Sequence, residues 1–329
     1  MSRPLDILSI GDIATDAFIK LKEAHVDCNL KRDTCELCLP FGGKVPYESV
    51  TVVPGSGNSA NAGIAASRLG LNVCVVGDIG KDEHGKECLR AIEKNGVNTR
   101  YIIKHKKLET NYHYVLWYEA ERTILIKHPP FPYSLPHIVS EPKWMYLTSI
   151  GLNSETYHDE IMLYLEKHPR VKLAFQPGTY QIKMGTKSLA GIYKRTNIFF
   201  CNSDEARKIL GTRETDYKKL LADIRALGPE TVVITDGDKG AHAYDGSIHW
   251  FIPAYPQKPF ERTGAGDAFS GAVVSALALG KSFEEALLWG PINAASVIKH
   301  IGAIEGLLTH KEMMHQIEKA PADYKISRL

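Results

Sequence analysis

Apolar and polar positions along this chain fall into repeated strand-then-helix units. Leu5–Gly11 is a short apolar run closed by glycine, which reads as a buried opening strand. Asn58–Leu69 is rich in Ala and Ser and stops at Gly70, the pattern of a helix with a glycine terminator. Asn72–Gly77 is again a buried strand, and Trp144–Thr148, Val171–Phe175, Asn197–Phe200 and Thr231–Thr235 repeat the signal. Helical stretches at 155–167 and 203–210 lie between them, and the final third turns helical at 264–279, 283–299 and 309–318. Such alternation predicts a mostly parallel sheet covered by helices on both faces.

Two segments break the rhythm. Residues 20–53 mix charges, cysteines and Phe41-Gly42-Gly43-Lys44-Val45-Pro46 without a helical period. Residues 111–127 alternate aromatic and polar side chains around Glu119-Ala120-Glu121, a β-hairpin signal. Both read as excursions that pair into a small β-structure.

Composition narrows the classes of function. The 329 residues are 44% hydrophobic and 24% charged, with a net charge of +2, so neither nucleic acid nor an anionic membrane is expected as partner. No apolar run approaches the roughly 18–20 residues of a membrane span, and no signal-peptide pattern stands at the N-terminus. A cytoplasmic location is the expectation. Six cysteines in a chain of this length argue against a disulfide framework. Three of them, with a histidine, form His25-x2-Cys28-x6-Cys35-x2-Cys38, residue types that fit either a tetrahedral zinc site or partly buried thiols.

Four segments carry candidate chemistry. Glu261-Arg262-Thr263-Gly264-Ala265-Gly266-Asp267 runs into an apolar helix. Glycines there let N–H groups converge at a helix start, where the dipole favours a phosphoryl group, and Asp267 can take a hydroxyl proton. The same letters also fit a tight turn with an ordinary first-turn carboxylate. Thr235-Asp236-Gly237-Asp238-Lys239-Gly240 follows a strand, as a phosphate-approaching turn or a plain hairpin connection. Asn202-Ser203-Asp204-Glu205 reads as a helix cap, or as oxygen ligands near Mg²⁺. Gly55-Ser56-Gly57-Asn58-Ser59-Ala60-Asn61 suits close approach to a polyol, with Asp16 as a hydroxyl acceptor or a turn carboxylate. Gln176-Pro177-Gly178-Thr179 is a further substrate-side loop.

In this order and spacing, and with Gly11-Asp12-Ile13-Ala14-Thr15-Asp16, Gly77–Gly85, Asn293-Ala294-Ala295 and Gly302-Ala303, these segments resemble the ribokinase-like (PfkB) family of sugar and nucleoside kinases. The resemblance implies one three-layer α/β/α domain over residues 1–329, with a small β-sheet lid from about 17–53 and 105–128. It implies ATP-dependent phosphorylation of a hydroxyl on a small sugar or sugar acid. Asp267 would be the general base, and Gly264, Ala265 and Gly266 the anion hole. Thr235, Gly237, Gly240 and Asn293 would line the ATP site, Asn202 and Glu205 would organise Mg²⁺, and Asp16, Gly57, Asn61 and Gln176 would hold the substrate. A monovalent cation such as K⁺ is a further option.

Two departures stand out. Ser56-Gly57 replaces the family's Gly-Gly, and Glu261-Arg262 replaces its Asp-Thr. Arg262 then either stabilises transferring charge or forms a surface ion pair. An adenosine-type nucleoside kinase is the alternative, with Tyr112, Tyr114, Trp117 or Tyr118 stacking on a base. A non-catalytic sensor on the same fold is another. An exposed lid edge predicts a homodimer through the lid.

Overall fold

The computed structural model describes residues 4–29, 34–119 and 121–329. Its first part runs β1 (Ile7–Ile10), β2 (Ala14–Leu21), β3 (His25–Asn29), β4 (Thr34–Cys38), β5 (Tyr47–Ser56), α1 (Asn58–Arg68), β6 (Val73–Gly80), α2 (Glu83–Lys94), β7 (Asn98–His105), β8 (Asn111–Tyr118) and β9 (Glu121–Leu125). The middle follows as β10 (Trp144–Leu147), α3 (Glu155–Lys167), β11 (Lys172–Phe175), α4 (Thr179–Met184), α5 (Ala190–Arg195), β12 (Ile198–Asn202), α6 (Ser203–Leu210), α7 (Tyr217–Ala226) and β13 (Thr231–Thr235). β14 (Ala241–Tyr244), β15 (His249–Ile252), α8 (Ala265–Ala278), α9 (Phe283–Val297), α10 (His310–Glu318) and β16 (Ser327–Arg328) complete it.

Ten strands form the main sheet in the order β16-β15-β14-β13-β12-β11-β10-β1-β6-β7. The seven from β13 to β7 are parallel, and β14, β15 and β16 extend one edge antiparallel. Strand side chains alternate between two cores. Ile7, Val73 and Val75 pack with α1, α8 and α9, whereas Leu8, Ile10, Cys74 and Val76 pack with α3, α5 and α7. The expected α/β/α layering with a mostly parallel sheet is present.

A second sheet, β5-β2-β8-β9, covers the carboxyl ends of the main strands. Residues 111–125 form the anticipated hairpin, with Glu119 at φ 54° in its turn, while Ala120 lies outside the described residues. β2 and β8 pair in parallel, which sets Asp16 opposite His113. Register also decides which lid side chains face the cleft. Asp16, Phe18, His113, Val115, Trp117 and Arg122 share the inner face, and Tyr112, Tyr114 and Tyr118 the outer.

The β3–β4 hairpin corrects the reading of the cysteines. Antiparallel register pairs Cys28 with Cys35 and His25 with Cys38. These pairs sit on opposite faces because odd residue separations point opposite ways along a strand. Cys28 and Cys35 are joined by a disulfide, so they supply no thiolates, and the four residues do not make a tetrahedral zinc site. No cluster of three or more His, Cys, Asp or Glu suited to a metal occurs among the described residues. No framework of disulfides exists among them either, but one bridge does, where none was expected. No described helix is long and apolar enough to cross a membrane.

Candidate active site

The parallel strands end at a cleft. Loops leaving β1, β10 and β11 bring Asp12, Ser149 and Gln176 to it, β12 and β13 end there in Asn202 and Thr235, and the lid's inner face adds Asp16, His113 and Arg122. Such carboxyl ends are where open α/β sheets bind ligands. The cavity measures about 330 Å³. A second of about 470 Å³ adjoins it, and Thr235, Arg262, Gly266 and Phe269 line both.

Asp267, in the first turn of α8, sits in the first cavity only 6% exposed. Three amides fix its carboxylate. Asn58 Nδ2 and Gln176 Nε2 donate to Oδ1 at 2.9 Å each, and Asn61 Nδ2 donates to Oδ2 at 2.8 Å. The Asp267 carboxylate, which only accepts, sets the Gln176 amide with Nε2 toward it, and Oε1 then accepts from Tyr146 Oη at 2.7 Å and Ser270 Oγ at 2.5 Å. Burial pushes the Asp267 carboxyl up to about 6, against the amide hydrogen bonds, and the charge of Asp16 adds to the rise.

Gly264 caps α8 in the left-handed region, at φ 81°. A Cβ there would lie 2.2 Å from the Ala303 Cβ, so both conformation and space require glycine. Gly264 and Gly266 line the first cavity and Ala265 the second. The three expected anion-hole positions therefore border the junction, although the Ala265 N–H also makes a long 3.4 Å contact with the Arg262 carbonyl.

Asn202 and Glu205 form a reciprocal capping box on α6. Asn202 Oδ1 accepts from the Glu205 N–H at 2.8 Å, and Glu205 Oε2 accepts from the Asn202 N–H at 2.9 Å. Both also line the first cavity. Burial raises the Glu205 carboxyl, and the Asp267 charge raises it further. The cap and ligand readings thus describe the same two side chains.

Thr235, Gly237 and Gly240 line the second cavity while connecting antiparallel β13 and β14, so that turn is both hairpin connection and cavity wall. Gly240 has φ 90°, and a Cβ there would meet the Ile252 carbonyl at 2.4 Å. Ala254, Tyr255, Pro291, Ala294 and Ile298 give the cavity an apolar side. Asn293 does not belong to it. Its side chain is fully buried, Nδ2 donating to the Ala268 carbonyl and Oδ1 accepting from the Leu308 N–H, each at 3.0 Å. It pins α9 to α8 and to the loop before α10.

On the acceptor side, Gly57 has φ 98°, and a Cβ there would lie 2.4 Å from the Asp12 carbonyl. Asp16 Oδ1 meets His113 Nδ1 at 3.1 Å. Asp12 Oδ1 accepts from Tyr133 Oη at 2.8 Å, and its Oδ2 lies 2.9 Å from His128 Nδ1. Asn61 Oδ1 and His113 Nε2 are buried without a hydrogen-bond partner among the described residues. Asn61 and Gln176 were expected at the substrate, and both bond the Asp267 carboxylate instead while lining the cavity. Arg262, half-exposed, pairs with Glu121 at 3.2 Å and also lines both cavities.

Sequence reasoning quoted Asn58 and Asp12 only within motifs, without a role, and missed His113, His128 and Tyr180; all five line the cleft. The lid aromatics are a correction. Tyr112, Tyr114 and Tyr118 face outward, and Trp117 packs edge-on against Phe260 at 5.0 Å, so none of the four lines the cleft.

The sequence profile described as pfkB family carbohydrate kinase matches residues 20–310. The chain belongs to the pfkB family of carbohydrate kinases. As a member it is an ATP-dependent kinase. Bacillus subtilis ribokinase is 28% identical over 280 residues, covering 83% of this chain and 90% of that protein. Thermococcus kodakarensis cytidine kinase is 38% identical over 141 residues, 41% of this chain and 49% of the relative. Among solved structures, Arabidopsis thaliana ribokinase complexed with ribose and ATP superposes with a TM-score of 0.80 at 19% identity, over 96% of this chain and 99% of that one.

Proposed function

We propose that this pfkB kinase phosphorylates a hydroxyl of a small sugar or sugar acid, with Asp267 as general base. The observation that carries this is the Asp267 carboxylate: buried, fixed by three amides, raised to about 6, and set in the first cavity beside Gly266, which lines both. A base with that proton affinity is charged at neutral pH yet retains drive to accept a proton. The acceptor hydroxyl would sit against Asp267 in the first cavity and the nucleotide in the second. In-line transfer would pass the phosphoryl group across the N–H groups of Gly264, Ala265 and Gly266. Arg262, reaching the junction, would meet the transferring charge.

Mg²⁺ fits this site on chemical grounds. Burial and then the Asp267 charge raise the Glu205 carboxyl, and a hard cation beside it would relieve both. Asn202 and Glu205 would hold it through oxygen or bound water, and its charge would offset that of the phosphates. K⁺ remains a second proposed ion, tested by exchanging it for Na⁺ in the assay.

Hydrogen-bonding groups dominate the acceptor end. Asp12, Asp16, Asn61, His113 and His128 surround it, including buried polar atoms without partners. That chemistry suits hydroxyls, and the outward-facing lid tyrosines offer no stacking on a nucleoside base. The partial likeness to a cytidine kinase keeps nucleosides in the substrate panel.

We further propose one domain over residues 1–329, in the cytoplasm where ATP is supplied. We also propose a homodimer through the lid, whose outer face exposes Val50, Val52, Tyr114 and Leu125 across adjoining strands. ADP release over a panel of sugars, sugar acids and nucleosides tests the function. Turnover on a sugar or sugar acid is the expected result. Turnover on nucleosides alone would move the substrate class, and ligand binding without any turnover would make the protein a sensor.

A further inference from the structure

Two Glu-Arg dipeptides face each other across the cleft. Glu121-Arg122 begins β9 on the lid, and Glu261-Arg262 leads into α8. Their ion pairs cross: Arg122 Nε lies 3.8 Å from Glu261 Oε1, and Arg262 Nη1 lies 3.2 Å from Glu121 Oε1. The two pairs differ in burial. Arg262 and Glu121 are 45% and 68% exposed, a contact that water and salt weaken, whereas Glu261 is 1% exposed.

Glu261 is also tied to the backbone that shapes the anion site. Its Oε1 accepts from Thr263 N–H at 2.8 Å and Thr263 Oγ1 at 2.6 Å, and its Oε2 accepts from Gly302 N–H at 3.4 Å. Thr263 precedes Gly264, and Gly302 precedes Ala303, the residue that occupies the space a Gly264 side chain would need. One buried carboxylate therefore joins the two turns that hold the start of α8. The cation beside it comes from the lid. Arg122 Nε is itself buried without a hydrogen-bond partner among the described residues, and 3.8 Å exceeds a hydrogen bond. A lid movement of about 1 Å would bring the pair to the 2.7–2.9 Å of a charge-assisted bond. Around it the same lid face lies close to these turns: Trp117 packs on Phe260, and a Cβ at Gly302 would lie 3.1 Å from Val53 and 3.4 Å from Phe18.

We propose that Arg122 and Glu261 are a positioning pair that couples seating of the lid to the shape of the anion site. The proposal rests on the kinase reading above. With the lid seated, the buried carboxylate gains its counter-charge and holds the Thr263 and Gly302 turns in place. With the lid lifted, that charge is left uncompensated and the anion site loosens. Transfer would then occur only in a covered cleft, which keeps water from the phosphoryl group.

A double-mutant cycle on Arg122→Met and Glu261→Gln tests it, reading acceptor-dependent ADP release beside acceptor-independent ATP hydrolysis. Each single variant should lower kcat about tenfold or more, with the KM for ATP within about threefold and a raised ratio of hydrolysis to transfer. The double variant should be no worse than the poorer single one, and Arg122→Lys should recover part of the loss. Unchanged kcat and ratio in Arg122→Met, or losses that multiply in the double variant, would overturn the pairing. A merely structural contact would lower Tm and leave the ratio alone.

Amide exchange of residues 121–126 with MgATP gives a reading independent of turnover and of whether Glu261→Gln folds. Arg122→Met should speed exchange there relative to wild type, and equal exchange would overturn the coupling. Should wild type turn over no acceptor, the kinase reading fails, while this exchange comparison still decides the pair.

Discussion

Asp267 owes its proposed reactivity to its surroundings. Burial raises its carboxyl to about 6, so the deprotonated base is depleted below that pH and complete above it. The logarithm of kcat/KM should therefore climb with unit slope toward about pH 6 and then level, a profile read directly from initial rates. A flat profile from pH 5 to 8 would argue against this assignment. Arg262→Ala should lower kcat more than it weakens ATP binding, because the side chain lines the junction of the cavities. Unchanged kcat would return Arg262 to the surface ion pair with Glu121. The glycines and Asp267 were legible in the sequence because their roles are local, set by backbone freedom and a helix start. His113 was not, since it reaches Asp16 only through the β2–β8 register, 97 residues apart. Its neighbours Tyr112 and Tyr114 drew the sequence argument, yet alternation turns them outward. Asn293 shows the converse: position within the family suggested the nucleotide, and burial gives it two backbone partners instead.

At the level of elements, α6 and α8 begin with different devices. α6 carries a side-chain capping box, and α8 starts from a left-handed glycine packed against Ala303. Asn202→Ala should cost about 1 kcal/mol in denaturant unfolding through the lost cap. It should also raise the Mg²⁺ concentration needed for half-maximal rate. A stability loss with unchanged Mg²⁺ dependence would leave Asn202 as a cap alone. The β3–β4 hairpin marks where spacing misled. His25, Cys28, Cys35 and Cys38 have the residue types of a zinc site, but antiparallel pairing splits them between two faces and joins the middle pair. None of the four lines either cavity. Replacing Cys28 and Cys35 together by serine should thus leave kcat within about twofold, as expected for an exposed site away from the chemistry. A larger loss would tie the hairpin to catalysis.

For the whole molecule, the strand-helix rhythm gave the layered core, because burial on both faces of a parallel sheet leaves continuous apolar runs. The lid was harder to delimit. Its strands come from distant segments, Ala14–Leu21 and Tyr47–Ser56 with Asn111–Leu125; the last alternates legibly, whereas β2 is mostly buried and β5 mostly exposed, so the first two show no clear period. Its outer apolar face belongs to the proposed dimer. Val52→Lys should convert a dimer to monomers in sedimentation, while a wild-type monomer at micromolar concentration would remove that proposal. What binds the whole together is the meeting of two cavities at Gly266, next to Asp267. The most direct measurement is transfer of the ATP γ-phosphoryl group to the best acceptor by wild type and by Asp267→Asn at matched folding. The account predicts turnover by wild type and a loss of about 10²–10⁴ in kcat for the variant, with ATP still bound. Equal kcat in the two proteins would contradict it.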